Sequence, residues 1–384
     1  MNMKSRIFLL LASLSLMVSC AKDNAQETIN APTIEFSLEQ SSKDLLKSIK
    51  TDFIKLELTK DSSIETIGQI IELGDTIVIS DISNPNLLAF TKQGNFISTI
   101  GEKGIGPGEY INATSIFYDR EHNAIGLYDE QNLKIIYYDA STFKYSHEQY
   151  YKDIKAGCCM PVGDGLIWYN EAYDGRSSDY YFLITDNVGK IKKEFVKKDF
   201  KSGYITGNTT CLYTVKDRIR GYIPYSTILY DFSNQEATPI YDLRFKGFDM
   251  PTPKELNKIS INGNSPVLFK KLSESGYISY FDVVESNDLL ASTVIAKKKS
   301  HVALLDKKTG ERIFMSSGKF ASKLGLGKFQ YFVSNSINSS IIAILDSENL
   351  ILKNGKKKNK LNKDLSELIA RDSVLNPIVA LIHK

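Results

Sequence analysis

The stretch Leu87-Leu-Ala-Phe-Thr-Lys-Gln-Gly-Asn-Phe-Ile-Ser-Thr-Ile-Gly-Glu-Lys-Gly-Ile-Gly-Pro-Gly-Glu-Tyr110 decides how this chain folds. Two apolar runs, 87–90 and 96–100, flank the polar turn Lys92-Gln93-Gly94-Asn95, and a Gly/Pro loop follows. That arrangement predicts two antiparallel strands and a turn out of the sheet. Upstream, Phe53-Ile54-Lys55-Leu56-Glu57-Leu58 alternates with period two, and Thr76-Ile77-Val78-Ile79-Ser80-Asp81 is a β-branched run, so further strands precede it.

The unit recurs in weakened form. Each copy has an apolar residue that closes its third strand just before a polar turn: Phe90, Tyr138, Ile184, Tyr230 and Leu305. These anchors are 48, 46, 46 and 75 residues apart. A period of 46–48 residues holding four short strands has the size of a propeller blade, whereas helical repeats would show a 3.6-residue period. The last spacing is 29 residues longer than its neighbours, which predicts an insertion at about 247–276, where Pro251, Pro253, Gly263 and Pro266 gather. The tail supplies only three further strands, at about 330–333, 340–345 and 377–383, with a helical pattern over 360–371. The fourth strand of that sixth unit is expected from 53–58. Chain start and chain end would then share one blade and leave no open sheet edge.

The fold class is therefore all-β, a six-bladed propeller of four-stranded antiparallel blades spanning 51–384. Apolar residues make up 42% of the 384, enough for a core of that size, and 21 Tyr and 19 Phe against one Trp suit half-buried strands. The formal charge is only +3, so there is no electrostatic case for nucleic acid as a partner.

Lys4 and Arg6 precede a mostly apolar stretch over 7–18. As a helix it would rise about 18 Å, short of the roughly 30 Å hydrocarbon core, so 1–19 reads as a cleaved signal peptide. Ser19-Cys20 resembles the lipobox of bacterial lipoproteins, in which the Cys thiol is diacylated; Met17 departs from the usual Leu. An ordinary signal peptide with an incidental Cys is the alternative. Lys22-Asp23 resembles the charged tag that sends lipoproteins of the Bacteroidetes to the cell surface. Residues 20–50 are polar with little periodicity and are expected to be a flexible tether.

The run Phe90…Gly94…Phe96…Ile100-Gly101…Gly104-Ile105-Gly106-Pro107-Gly108-Glu109-Tyr110, with Asn376-Pro377-Ile378-Val379-Ala380-Leu381, resembles the six-bladed β-propeller lipoproteins of the Bacteroidetes, themselves distantly similar to NHL-repeat propellers. The resemblance covers about 51–384, and its specific part is the GxGPGEY segment. It implies the fold and an envelope location, anchored to the outer membrane and facing the periplasm or the surface. It implies no particular chemistry, because that family is largely of unknown biochemical function.

Reactive constellations are sparse. His122, His147, His301 and His383 fall in no HxH or HExxH spacing, so no metal site is predicted, and no cofactor. The glycines of 101–108 lack the Lys-Ser/Thr ending of a phosphate loop and precede a strand, so they read as a blade-to-blade turn needing φ > 0. GxSxG is absent, and no catalytic residue is proposed. Cys158 or Cys159 could bridge to Cys211, or all three could be buried small apolar residues. The triplets 297–299 and 356–358 read as solvated basic loops, while Asp81 and Asp129-Glu130 at second-strand ends read as acceptors for turn amides.

In a propeller, the loops from second to third strands and those between blades lie on one face, where ligands are usually placed. Topology sends Asn84, Asn86, Tyr110, Asp129, Asn132, Tyr173, Arg176, Tyr225, Lys298 and His301 there, and their rings and forks suit a polar ligand. The reading is an exported, lipid-anchored binding or interaction module that captures a nutrient or senses the envelope. Its partners would be the membrane, through the anchor, and a polar small molecule, a glycan or an envelope protein. Two alternatives stand beside it. One is an enzyme, since similar scaffolds host lactonases and lyases with a divalent cation in the channel; the other is a scaffold docking a protein through 247–276.

Overall fold

The computed structural model describes residues 30–39, 41–170, 178–199, 211–260, 265–333, 339–347, 350, 361–370 and 375–384. Six antiparallel sheets follow one another along the chain. Blade 1 runs Ile67–Leu73, Thr76–Asp81, Asn86–Thr91 and Phe96–Thr99, and blade 2 runs Ser115–Asp119, Ala124–Asp129, Lys134–Asp139 and Tyr145–Tyr150. Blade 3 comprises Cys158–Val162, Gly165–Tyr169, Tyr180–Asp186 and Ile191–Lys197. Blade 4 comprises Leu212–Val215, Arg218–Tyr222, Ile228–Asp231 and Thr238–Phe245. Blade 5 starts with the interrupted strand Ile278–Phe281 and Val284–Glu285 and continues through Leu289–Ala296, Lys299–Asp306 and Arg312–Ser316.

Blade 6 is made from both ends of the sequence. Phe329–Val333, Ile341–Leu345 and Ile378–His383 form its inner three strands, and Lys50–Lys55 pairs antiparallel with the last of them, Lys50 facing His383 and Lys55 facing Ile378. The closing strand therefore lies three residues earlier than the alternation at 53–58 suggests. Its partner begins only after Pro377, which has no N–H for the ladder, so 56–58 leave the sheet. Asn376 captures that departing loop. Its Oδ1 accepts the Ile64 N–H at 2.9 Å, and its Nδ2 donates to the Glu57 and Ser62 carbonyls at 3.0 and 2.8 Å.

First strands of successive blades lie side by side, so they form the inner ring around the axis. Middle strands are buried on both faces because each blade stacks on the next. Thr76–Asp81 and Ala124–Asp129 contain hardly an exposed position, whereas the outer Tyr145–Tyr150 is mostly exposed. The core is accordingly a series of layers between blades rather than one centre. One joins Ile54, Ile79, Phe90 and Val379 across blades 6 and 1, and another joins Val78, Leu87, Ile116 and Ile136 across blades 1 and 2. Each such side chain, fully buried, contributes roughly 1.5–3 kcal/mol.

The segment before the closing strand is folded, which corrects the expectation of a tether reaching Lys50. Thr33–Phe36 adds a fifth strand to blade 4, parallel to Thr238–Phe245, and Phe36 stacks on Phe245 at 5.4 Å between ring centroids. Ser42 then caps the helix Lys43–Ser48, its Oγ accepting the Leu45 N–H, and Leu45 is buried against blades 5 and 6. Three apolar side chains with a cap, Phe36, Leu45 and Ile49, fix a stretch whose composition reads as polar. The insertion expected at 247–276 carries two helices, Pro253–Ser260 and Ser265–Ser275, with Leu256, Leu268 and Leu272 packed together beside Tyr225 and Tyr277. Cys158, Cys159 and Cys211 are all buried, and burial pushes the Cys159 thiol well up.

Candidate binding site at the channel mouth

Antiparallel blades send their turns to two faces: first-to-second and third-to-fourth turns to one, second-to-third turns and blade connections to the other. Of the residues expected to bind on the second face, the described ones do not come together. Asn84 is exposed and accepts Lys103 Nζ at 2.6 Å, while Asn86 opens a strand opposite Asp81. Asp129 is fully buried, accepting the Ile111 and Gln131 N–H groups and the Asn132 Nδ2, so both Asp129 and Asn132 hold a turn. Asp81 does the same for Glu65, Thr66 and Ser83.

Tyr110 is not on the face. It is buried, accepts the Leu87 N–H at 3.0 Å and donates to the Ile100 carbonyl, and burial pushes its hydroxyl up to about 12. His301 is also interior, wedged between Phe248 and Phe314 at 4.8 and 5.5 Å, and burial holds its imidazole below the ordinary value. Both corrections reflect burial of an amphipathic ring: the Tyr110 hydroxyl is satisfied by backbone, while His301 is held by the rings that flank it. Tyr225 is half-buried beside the inserted helices, Lys298 is exposed in a two-residue turn, and Tyr173 and Arg176 lie outside the described residues.

The cavity opens on the opposite face. It measures about 300 Å³ and is lined by the inner strands and first turns of blades 1 to 4. Ile116, Phe117, Met160 and Val162 make an apolar floor. Phe117 reaches its place because blade 2 has Gly126 beside it; a Cβ there would stand 2.1 Å from the ring. Gln69 is buried in the wall and accepts the Ile116 N–H at 2.7 Å, locking blade 1 to blade 2. The rim is polar: Glu72 pairs with Lys92, Asp119 holds His122 at 2.8 Å, and Arg120 of blade 2 pairs with Asp217 of blade 4 across the intervening blade. That carboxylate contact raises the pKa of the exposed His122.

None of the eight expected residues that are described lines this cavity. The missed signal is the charged turn Asp119-Arg120-Glu121, set directly after an apolar inner strand and repeated in kind by Lys216-Asp217. Such an arrangement can hold a small molecule by its apolar part and orient it by its polar groups. Among the described residues no three His, Cys, Asp or Glu side chains are grouped so as to hold a metal ion. No helix among them is long and apolar enough to cross a membrane.

Comparison with known proteins agrees with this architecture. A structurally similar protein is one of Bacteroides fragilis NCTC 9343, named as a candidate exported protein, with 31% identity and a TM-score of 0.84 over 91% of this chain and 99% of that one. A member of the duf4221 family from Bacteroides vulgatus shares the fold at 9% identity, with a TM-score of 0.54 over 88% of this chain and 99% of that one. No curated protein matches the sequence. The DUF5128 family, described as a 6-bladed beta-propeller, matches residues 22–344, and the chain belongs to that family.

Proposed function

We propose that this protein is an exported, lipid-anchored binding module of the cell envelope whose small-molecule site is the channel mouth. The cavity built from four blades carries the reading: a floor of Ile116, Phe117, Met160 and Val162 beneath a rim of Glu72, Asp119, Arg120 and Asp217. Rigid blades hold these groups in place, and the turns that bear the rim can vary without disturbing the core. The anchor rests on the charged and apolar segment ending in Ser19-Cys20, and the name of the Bacteroides fragilis relative supports export. Attachment to the outer membrane is part of the same proposal and rests on the likeness of the sequence to the propeller lipoproteins of the Bacteroidetes.

Native mass spectrometry of protein recovered from its own envelope tests the site. Wild type is expected to carry a non-covalent small-molecule adduct that is lost in Thr214→Trp, where the indole fills the mouth. Equal adducts in both, with unchanged circular dichroism, would overturn it. Cys20→Ala is expected to move the protein from the membrane to the soluble fraction, and retention there would remove the anchor from the reading.

A further inference from the structure

The face opposite the cavity carries charge of one sign over blade 5. Four elements meet there, the helices Pro253–Ser260 and Ser265–Ser275, the turn 297–299 and the helix Ser317–Leu324, and together they hold nine lysines against two carboxylates, Glu255 and Glu274. All nine lysines are exposed. Glu255 is already taken by Thr252 and Tyr277, and among the described residues no carboxylate lies within 4.0 Å of any of the nine ammonium groups.

Contacts tie the four elements into one surface. Lys297 Nζ donates to the Gly247 carbonyl at 3.1 Å, where the insertion leaves blade 4, and stands 5.2 Å from the centroid of the Phe248 ring. On its other side, the Ser300 hydroxyl lies 2.6 Å from that of Ser317. Each helix turns apolar groups inward, Leu256, Leu268 and Leu272 in the insertion and Phe320 and Ala321 in the last, so the lysines are left pointing out. Lys254 with Lys258, and Lys319 with Lys323, recur at i, i+4, a spacing at which like charges destabilise a helix. Helix stability does not account for that placement.

We infer that this face rests on an anionic lipid surface, its lysines lying in the field of the headgroup phosphates. No arginine occurs on the four elements, and a hydrated ammonium suits a diffuse sheet of phosphates, whereas a single bound anion is better held by a guanidinium fork. Each lysine brought to such a surface is worth about a fivefold gain in binding. Ten residues separate Cys20 from Asn30, a reach of at most about 35 Å, so the proposed anchor would keep this face within range of the bilayer. The channel mouth would then open away from the lipid, although the inference does not depend on what the mouth binds.

Hydrogen exchange of the full-length protein mixed with vesicles tests it. At about 0.1 M salt, vesicles of phosphatidylglycerol and phosphatidylcholine are expected to slow amide exchange in the three helices, and vesicles of phosphatidylcholine alone are not; about 0.5 M salt should abolish the slowing. Lys258→Gln/Lys271→Gln/Lys298→Gln/Lys323→Gln should lose it at an unchanged melting temperature. A control with equal loss of charge on blades 2 and 3, Lys144→Gln/Lys152→Gln/Lys190→Gln/Lys197→Gln, should keep it, since those exposed lysines lie elsewhere. Slowing by neutral vesicles, slowing that survives the first variant or is lost in the control, or slowing by polygalacturonate and by no vesicle would each overturn the assignment, as would unchanged exchange throughout.

Discussion

Asp282 sits wholly buried on the inner strand of blade 5, between residues that leave it little solvation. Its carboxyl accepts the Thr293 N–H and, at 3.2 Å, the Tyr280 hydroxyl, yet burial outweighs both and pushes its pKa up to about 7. In the unfolded chain the same group titrates near about 3.9. Between those values the folded state holds a proton that the unfolded state has lost, so stability falls as pH rises from about 4 to 7 and then levels off. The slope from this group is at most about 1.4 kcal/mol per pH unit. Asp282→Asn keeps an acceptor and removes the titration; urea unfolding across that range should show a shallower fall for the variant, and parallel curves would refute the assignment. Nothing in Val283-Val284-Glu285 marks Asp282 in the sequence, because its depth comes from packing by blades distant in the chain. Tyr110 and His301 teach the same lesson in reverse: topology suggested a face for them, while their side-chain burial is settled by neighbours that no local pattern reveals.

At the scale of elements, the glycine-rich connection between blades 1 and 2 shows what a short motif can disclose. Gly101 has φ +68°, and a Cβ there would stand 2.3 Å from the Tyr138 hydroxyl oxygen, which itself donates to the Gly108 carbonyl at 2.8 Å. Beneath the loop, the buried Lys134 Nζ donates to the Gly106 carbonyl and pairs with Glu148 at 2.9 Å, and Glu148 also accepts the Gly108 N–H. Burial alone would raise the Glu148 pKa, but Lys134 and these hydrogen bonds bring it below the ordinary range. Gly101→Ala therefore meets both an unfavourable backbone region and a contact it cannot clear, and should cost about 2 kcal/mol or more in chemical denaturation. Sequence reading recognises this loop as a turn needing positive φ, since glycines at a strand end have few other uses. The third-strand anchors were legible for a similar reason: Phe90, Tyr138, Ile184, Tyr230 and Leu305 are all buried, each just ahead of its turn. The cavity was not, because its lining comes from strands and turns of four blades that lie far apart in the chain, from Gln69 to Ser233, none of them marked by itself.

For the whole molecule, the period and the three-strand tail together disclosed six blades and a shared last one, since a strand from the chain start completes the fourth place in that blade. They did not disclose the folded stretch before Lys50. Two deletions separate its contributions. A chain beginning at Ser41 loses Phe36 from its place against Phe245 and Phe314 but keeps the closing strand; it should stay folded and lose about 3 kcal/mol, read by urea melts. A chain beginning at Glu57 loses the whole ladder to Ile378–His383, exposes an apolar edge and should aggregate in size-exclusion chromatography. A soluble, cooperative monomer from the second deletion would show that the ring tolerates an open blade.

The path taken by residues 33–55 has a mechanical corollary. The chain meets the domain at the rim of blade 4, and the Glu35 carbonyl and Ser41 and Ser42 are bonded to Arg312 and Phe314 of blade 5 before the strand of blade 6 is reached. Traction applied upstream of Thr33 is thus borne by a four-residue parallel pairing and a short set of stitches. The clasp that keeps the circle closed lies beyond them, unloaded until they have given way.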